Sequence, residues 1–520
     1  MARLSSFSVL LLATGLALTA CAEEDDPAAS SPELPPAEPS GQQPSVPPPP
    51  APAADESVVV GHDRELRGAW ISTVYNGTWP SKTGLDAATA KAELVAIFDA
   101  LASARMNAVF FQVRSESDAV YPSVIEPWSR FLTGTQGKDP GFDPLAFAIA
   151  EGHRRGLEVH AWMNPYRGLV STQITVDPKH VTKMLPVATR SYGAQLWMDP
   201  GAPEVRAHIL DVVRDVLTRY DVDGLHFDDY FYPYPVQGQT FDDASTYAAY
   251  TASGGMLGKD DWRRSNVDAL VHETSDLAAK TRSTARFGVS PFGIYRPGSP
   301  AGITGLDAYA TIYCDPVRWM TEGWVDYLAP QLYWPTTQTA QAFGKLITWW
   351  ADLSAGTPRS IFVGHDATRA GEAVFPVDEY DAEMNLVRAE RPRGARGSIF
   401  FSAKPLVSDQ ASLRTMLATK HWTLPAATPR LATATLEPAG PAPEISVGPG
   451  AVNVATPPSG LRSIAVYREP TSQTFVIERI IPVAESPASS TPITLDVGRW
   501  VISTIDRRGI ESRGRRIAVD

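Results

Sequence analysis

The sequence predicts an α/β chain: a (β/α)8 TIM barrel followed by a small all-β sandwich. Three observations predict it. Between residues 66 and 402, eight short apolar runs recur, separated by stretches with helical spacing. Several of these runs carry polar or aromatic residues of one parity toward their C-terminal ends, where a purely structural barrel would place Val, Ile and Leu. After Leu424 the helical period disappears, and short alternating runs between turn residues replace it. A doubly wound open sheet is the main rival, but no Gly-rich phosphate loop follows the first run.

The chain begins with a targeting segment. Arg3 supplies a sparse positive region, and residues 7–18 form an apolar run too short to span a bilayer. The run ends in Leu18-Thr19-Ala20-Cys21, which resembles a bacterial lipobox. The resemblance implies a signal peptide over residues 1–21, cleavage before Cys21 and lipidation of that residue. The partner is then a membrane, reached through an N-terminal lipid anchor. Ala22 stands where the resemblance places an Asp in proteins kept at the inner membrane, so the expected location is the bacterial cell envelope, at the outer membrane or another extracytoplasmic face. An ordinary secretory signal with a chance cysteine is the alternative. Cys314 is the one other cysteine, so with Cys21 acylated no internal disulfide forms. Residues 22–60 are acidic and then Pro-rich, ending in Val46-Pro47-Pro48-Pro49-Pro50 before a short transition. Such composition buries no core and predicts a disordered tether, extended at about 3.1 Å per residue where polyproline-like.

The barrel is expected over residues 62–424, with strands at 66–73, 108–114, 158–163, 224–229, 286–292, 327–333, 360–364 and 397–402. The clearest helix is 203–220. Pro203 suits its first turn, and Val205, Ile209, Val212, Val216 and Leu217 recur at helical spacing. The chain's 520 residues and 43% hydrophobic content suffice for this barrel plus a smaller module. Its formal net charge of −12 argues against nucleic acid as a partner. A monomer without cofactor is expected. No His-Glu-x-x-His or cysteine cluster points to a metal; His160, His226 and Asp228 are the one alternative ligand set.

The most informative stretch is 222–230, Val-Asp-Gly-Leu-His-Phe-Asp-Asp-Tyr. It reads as a short strand that exits into two acids and an aromatic cluster, which at a barrel mouth suits a sugar-cleaving site. Parity places Gly224, His226 and Asp228 inside the barrel. It does the same for Gln112 and Arg114, for His160, Trp162 and Asn164, and for Gln331 and Tyr333. Asp229 has the opposite parity and reaches the mouth only if the strand stops and bends there. Two adjacent acids repel when both are ionised, so one should hold a raised pKa and serve as proton donor.

Six ordered motifs are similar to the glycosyl-hydrolase-like family 10: Leu66-Arg67-Gly68-Ala69-Trp70-Ile71, Phe111-Gln112-Val113-Arg114, Trp162-Met163-Asn164-Pro165-Tyr166-Arg167, Met198-Asp199-Pro200-Gly201, His226-Phe227-Asp228-Asp229-Tyr230-Phe231-Tyr232-Pro233 and Gln331-Leu332-Tyr333-Trp334. The resemblance implies a barrel glycosidase with cell-wall glycan as its partner, such as peptidoglycan strands stripped of peptides. The fourth strand also resembles those of chitinases and hexosaminidases, which let the substrate's N-acetyl group act as nucleophile. It departs from both, with Tyr230 at the chitinase glutamate and Asp228-Asp229 for the hexosaminidase Asp-Glu pair. By that resemblance Asp229 is the general acid and Asp228 the orienting carboxylate. A double displacement would need a second acid, with Glu116, Asp118, Asp315 and Asp366 as candidates; Glu116 alternatively pairs with Arg114, and Asp315, before Pro316, alternatively caps a helix. Tyr230, Tyr232, Tyr333, Trp334 and Trp162 are expected to stack on sugars. Asn164 and Arg167 are expected to bind sugar oxygens, and Arg114 a lactyl carboxylate. His226 either orients Asp228 or is a buried neutral histidine. Trp349 and Trp350 read as core. A non-catalytic glycan-binding lipoprotein stays open as the alternative. An esterase or deacetylase is a third reading, but no Gly-x-Ser-x-Gly elbow is present.

The last module, residues 430–520, shows alternating runs at 463–467, 475–480 and 500–506, with Asp506-Arg507-Arg508-Gly509 suited to a turn before a final strand. It resembles a fibronectin-type-III-like module, with packing against the barrel or spacing it as its expected role and glycan binding as the alternative.

Overall fold

The computed structural model describes residues 57–434, 437–448, 451–456, 460–483 and 489–519. The expected signal peptide, Cys21 and the tether up to residue 56 lie outside the described residues.

Eight parallel strands close into a barrel. In chain order they are β1 (Leu66–Ile71), β2 (Ala108–Arg114), β3 (Glu158–Met163), β4 (Gly224–Phe227), β5 (Arg286–Val289), β6 (Tyr327–Leu328), β7 (Ser360–Asp366) and β8 (Ala395–Phe401). One principal helix follows each of the first seven: α1 (Ala87–Ser103), α2 (Pro144–Arg154), α3 (Pro203–Arg219), α4 (Lys259–Thr281), α5 (Pro316–Thr321), α6 (Phe343–Ser354) and α7 (Val377–Ala389). β8 pairs with β1 to close the ring, Gly397 opposite Leu66.

All eight expected strands are present in the expected order, but β1, β4, β5 and β6 stop early, at Ile71, Phe227, Val289 and Leu328. Past those points the chain leaves the regular ladder to turn side chains over the mouth. Pairing persists only as isolated bridges, Phe292 with Gln331 and Gln331 with Gly364.

Strand alternation sorts the core into two layers. Leu66, Trp70, Phe110, Trp162, Tyr327 and Ile399 pack together inside the barrel. Ala69, Ile71, Val109, Phe111, Val159 and Leu225 face outward against the helices. Helix starts follow capping chemistry. Asp86 accepts the Thr89 N–H at 2.9 Å to open α1, and Asp143 accepts the Ala146 N–H at 3.0 Å before α2. In α3, Val205, Ile209, Val212, Val216 and Leu217 are all buried, as their spacing requires. Each such side chain contributes about 1.5–3 kcal/mol.

The C-terminal module is a sandwich. One sheet orders Ser57–Val58, Gly514–Val519, Gly498–Asp506, Leu461–Thr471 and Thr474–Pro482; the other orders Ile445–Gly448, Ala451–Ala455 and Ser490–Ile493. The expected tether is therefore too long at its C-terminal end, because Ser57 and Val58 pair with Arg515 and Gly514 and extend a sheet. The sandwich docks where the barrel strands begin. Asn107 Nδ2 donates to the Ala426 carbonyl at 2.9 Å, the Glu65 N–H to that of Ala427 at 3.0 Å, and Arg462 to Asp223 at 2.6 Å. The other end of the barrel, where strands exit, stays free for a site.

Candidate active site

Asp228 emerges from β4 on the inward face. Its carboxylate accepts the Asn164 side-chain amide at 3.0 Å and the Asp229 backbone N–H at 3.0 Å. Asn164 is itself held: Gln112 Nε2 donates to its Oδ1 at 2.7 Å, and Gln112 Oε1 accepts the N–H groups of Thr73 and Val74. β2 and β3 thus supply inward amides that aim an acid from β4.

The bend required of Asp229 is present. Its carboxyl stands within hydrogen-bonding reach of Asp228 and takes a hydrogen bond from the Tyr234 hydroxyl. Burial, and then the charge of Asp228, lifts Asp229 well above the ordinary carboxylate range. Burial also raises Asp228, although Arg167, the Asp229 N–H and Asn164 pull the other way. Both carboxyls are thus pushed toward the protonated form, and they titrate as a pair. Asp228 is 7% exposed and Asp229 1%, so Asp228 is the member that reaches solvent.

Asp228 opens into a cavity of about 360 Å³. The rings of Trp70, Tyr75, Trp162, Tyr230, Tyr333 and Phe401 line it, with Ser72, Gln112, Arg167, Ser290 and Gln331 among them. The Arg167 guanidinium lies 4.3 Å over the Tyr230 ring. Trp162 Nε1 and Arg167 Nε are buried without a hydrogen-bond partner.

The structure brings Asp228, Trp162, Arg167, Tyr230, Gln331 and Tyr333 to this cavity and places the other expected residues elsewhere. Asn164 lies just beneath, aiming Asp228. Arg114 is spent inside the protein: it grips Glu126 through Nε at 2.8 Å and Nη2 at 2.6 Å, and the Asn164 and Pro165 carbonyls through Nη1. It has no edge left for a lactyl carboxylate. Glu116 pairs with Arg130 at 2.6 Å, not with Arg114; burial and the nearby Asp118 push it up to about 7. Asp118 closes a turn, accepting the N–H groups of Ser115 and Glu116 at 3.0 Å. Tyr232 is buried edge-on against Phe241 and Tyr313, and Trp334 packs on Phe292. Asp315 caps α5, and Asp366 accepts from Thr368 in a turn. His226 does not touch Asp228. It lies between Trp70 and Tyr327, and burial keeps it neutral. His160 meets the same Tyr327 hydroxyl, so the alternative metal set is not assembled.

Sequence reasoning missed Trp70, Ser72, Tyr75, Ser290, Phe401 and Tyr234. Trp70 and Phe401 carry a usable signal, inward parity at the ends of β1 and β8. Ser72 and Tyr234 lie on loops, and Tyr75 in a single 3-10 turn, whose path no periodicity reports.

Residues 65–380 match the family model described as Glycosyl hydrolase-like 10. The chain belongs to that family. The matched region contains the acid pair and every residue lining the cavity except Phe401. Glycosyl hydrolase YngK of Bacillus subtilis (strain 168) is 38% identical over 380 residues, 71% of this chain and 74% of that protein. Glycosyl hydrolase DigH of Escherichia coli (strain K12) is 37% identical over 328 residues, 59% of this chain and 74% of that protein. Among solved structures, the PgaB (BpsB) glycoside hydrolase domain from Bordetella bronchiseptica superposes with a TM-score of 0.45 at 14% identity, over 68% of this chain and 98% of that one. Membership in the glycosyl hydrolase-like 10 family makes this barrel a glycosidase.

Proposed function

We propose that this glycosidase cleaves the N-acetylated, peptide-stripped glycan strands of peptidoglycan, with the substrate's own acetamido oxygen as nucleophile. One observation carries the reading: Asp228 is the one carboxylate among the residues lining the cavity. Hydrolysis by two protein carboxyls places them on opposite sides of the bond, about 5–5.5 Å apart for retention or 6.5–9.5 Å for inversion. Here the two acids are chain neighbours on one side. The nucleophile then has to come from the sugar, and an N-acetyl group supplies it.

In this mechanism Asp228 delivers the proton to the departing glycosidic oxygen. Burial favours the protonated form of Asp228, and Asp229, behind it and within hydrogen-bonding reach, titrates with it as a pair. These roles reverse those expected from the sequence, because the more exposed acid is Asp228. The aromatic wall holds the sugar faces, and the orphan donors of Trp162 and Arg167 take its oxygens. Arg167 replaces Arg114 as the cation suited to a lactyl carboxylate. The lipobox-like Leu18-Thr19-Ala20-Cys21 and the Pro-rich segment after it support a lipid-anchored place in the cell envelope.

An esterase reading gains nothing from the one nucleophile-like trio in the barrel. His365 contacts Glu383 at 2.6 Å and Ser398 at 3.0 Å. All three are at most 1% exposed, and burial keeps Glu383 protonated and His365 neutral, at about 3.

The test is incubation of the purified chain with peptide-stripped and intact sacculi, followed by mass analysis of released sugars. Release from stripped strands, lost in Asp228→Asn, supports the proposal. Saturable binding to the strands without release favours the glycan-binding lipoprotein instead.

A further inference from the structure

A line of polar side chains runs through the barrel from the sandwich to the cavity. Glu158, at the start of β3, faces the sandwich. Its carboxylate lies 3.5 Å from Arg462 Nη1, 3.3 Å from Arg286 Nε and 2.6 Å from the Thr428 hydroxyl. Burial pushes this carboxyl up, but Arg462 and Arg286 outweigh burial and hold it ionised. His160 Nε2 stands 3.1 Å from it. His160 Nδ1 meets the Tyr327 hydroxyl at 3.2 Å, and that hydroxyl meets His226 Nδ1 at 3.0 Å. The line ends where the Trp70 indole N–H donates to His226 Nε2 at 3.1 Å, with the Trp70 ring at the cavity. Two glycines make room for it. A Cβ on Gly224 would stand 2.4 Å from His160 Nδ1, and one on Gly288 2.3 Å from the Tyr327 ring.

With one hydrogen on each imidazole, a single arrangement satisfies every link. An indole nitrogen only donates, so His226 Nε2 carries no hydrogen. Neutral His226 then carries its hydrogen on Nδ1, directed at the Tyr327 oxygen. Tyr327 passes its own hydrogen to His160 Nδ1, and His160 Nε2–H points at Glu158. All donors therefore run one way, toward an anchored carboxylate, an arrangement in which each bond polarises the next. An indole does not take up a proton, so the line orients Trp70 and does not conduct.

We propose that Trp70 is a sugar-binding platform whose ring plane is set from the sandwich, with His226, Tyr327, His160 and Glu158 as positioning residues and Arg462 as their anchor. The sandwich is then a working part of the glycosidase. This rests on the cavity being the glycan site; the first measurement below does not.

The full chain is labelled with indole-15N tryptophan, and Trp70→Phe identifies the Trp70 resonance among the thirteen tryptophans. Tyr327→Phe removes one oxygen from the middle of the line, and Arg462→Met releases its far end. Both are expected to shift the Trp70 N–H resonance. Both are also expected to raise KM for the cleaved glycan about fivefold, near the weight of one neutral hydrogen bond, with kcat nearly unchanged. If Arg462→Met fails to fold, Tyr327→Phe decides alone. A Trp70 resonance unmoved by Tyr327→Phe overturns the line, whatever the glycan assay gives. A shifted resonance with KM unchanged overturns the platform role. A shifted resonance in a chain that cleaves no glycan counts against the functional reading and leaves the line standing.

Discussion

The side-chain amide of Asn164 donates to the carboxylate of Asp228 at 3.0 Å. Its hydrogen bond favours the ionised form, opposing burial, and so both aims the acid and eases release of its proton. Asn164→Leu keeps the volume and removes the donor. A hydrogen bond to a charged group contributes about 1.5–3 kcal/mol, so kcat/KM should fall roughly 10- to 100-fold. Steady-state kinetics on released reducing ends checks it, with the thermal midpoint as control.

Asp229 carries a pH signature. A carboxyl raised in the folded state binds more protons there than in the unfolded chain. Stability must then fall as pH rises, beginning near the unfolded value of about 3.9 and continuing up to the raised folded value. Asp229→Asn removes that slope, and at neutral pH the variant should melt no lower than the parent. Activity of the parent should fall as pH climbs through the pair's raised value, because the deliverable proton is lost. Melts and rates between pH 4 and pH 8 (roughly the carboxylate-to-histidine range) test both.

Arg114 should matter to folding and not to glycan affinity. Burial pushes its partner Glu126 up, but Arg114 and His208 outweigh this and hold it at about 2. Arg114→Met leaves that charge buried and short of its main partner, at a cost of about 3–5 kcal/mol. Urea unfolding measures the loss. A KM changed tenfold in the folded fraction would instead return Arg114 to the substrate.

The barrel is legible in the sequence because parity is a local property. Gln112, Trp162, Asn164, His226, Asp228, Gln331 and Tyr333 all follow it inward. Depth along the barrel is not local. His226 shares a face with Asp228 but meets Trp70 and Tyr327 instead, a fact set by two other strands. In the loop after Asp229 parity fails as well: Tyr230 lines the cavity, Tyr232 is buried away from it, and Tyr234 reaches Asp229. Arg114 and Asp118 look like mouth residues, yet the loop after β2 folds back over them and uses both.

Trp162 offers a cleaner separation of binding from stability. Its buried N–H has no protein partner, so Trp162→Phe strands no donor, and the midpoint should fall only by the cost of the smaller ring in the barrel interior. Glycan affinity should weaken about fivefold if that N–H serves the sugar. Calorimetry with the cleaved oligosaccharide, set beside a melt, reads the two effects apart.

The central claim is that the sugar's acetamido oxygen attacks, with a single protein carboxyl at the bond. A series of glycan substrates whose N-acetyl group bears none, one, two or three fluorines tests it most directly, since each fluorine weakens that oxygen as a nucleophile. The account predicts that kcat/KM declines steadily across the series. A rate indifferent to fluorination would mean that a protein carboxylate or a water attacks instead, and would contradict it.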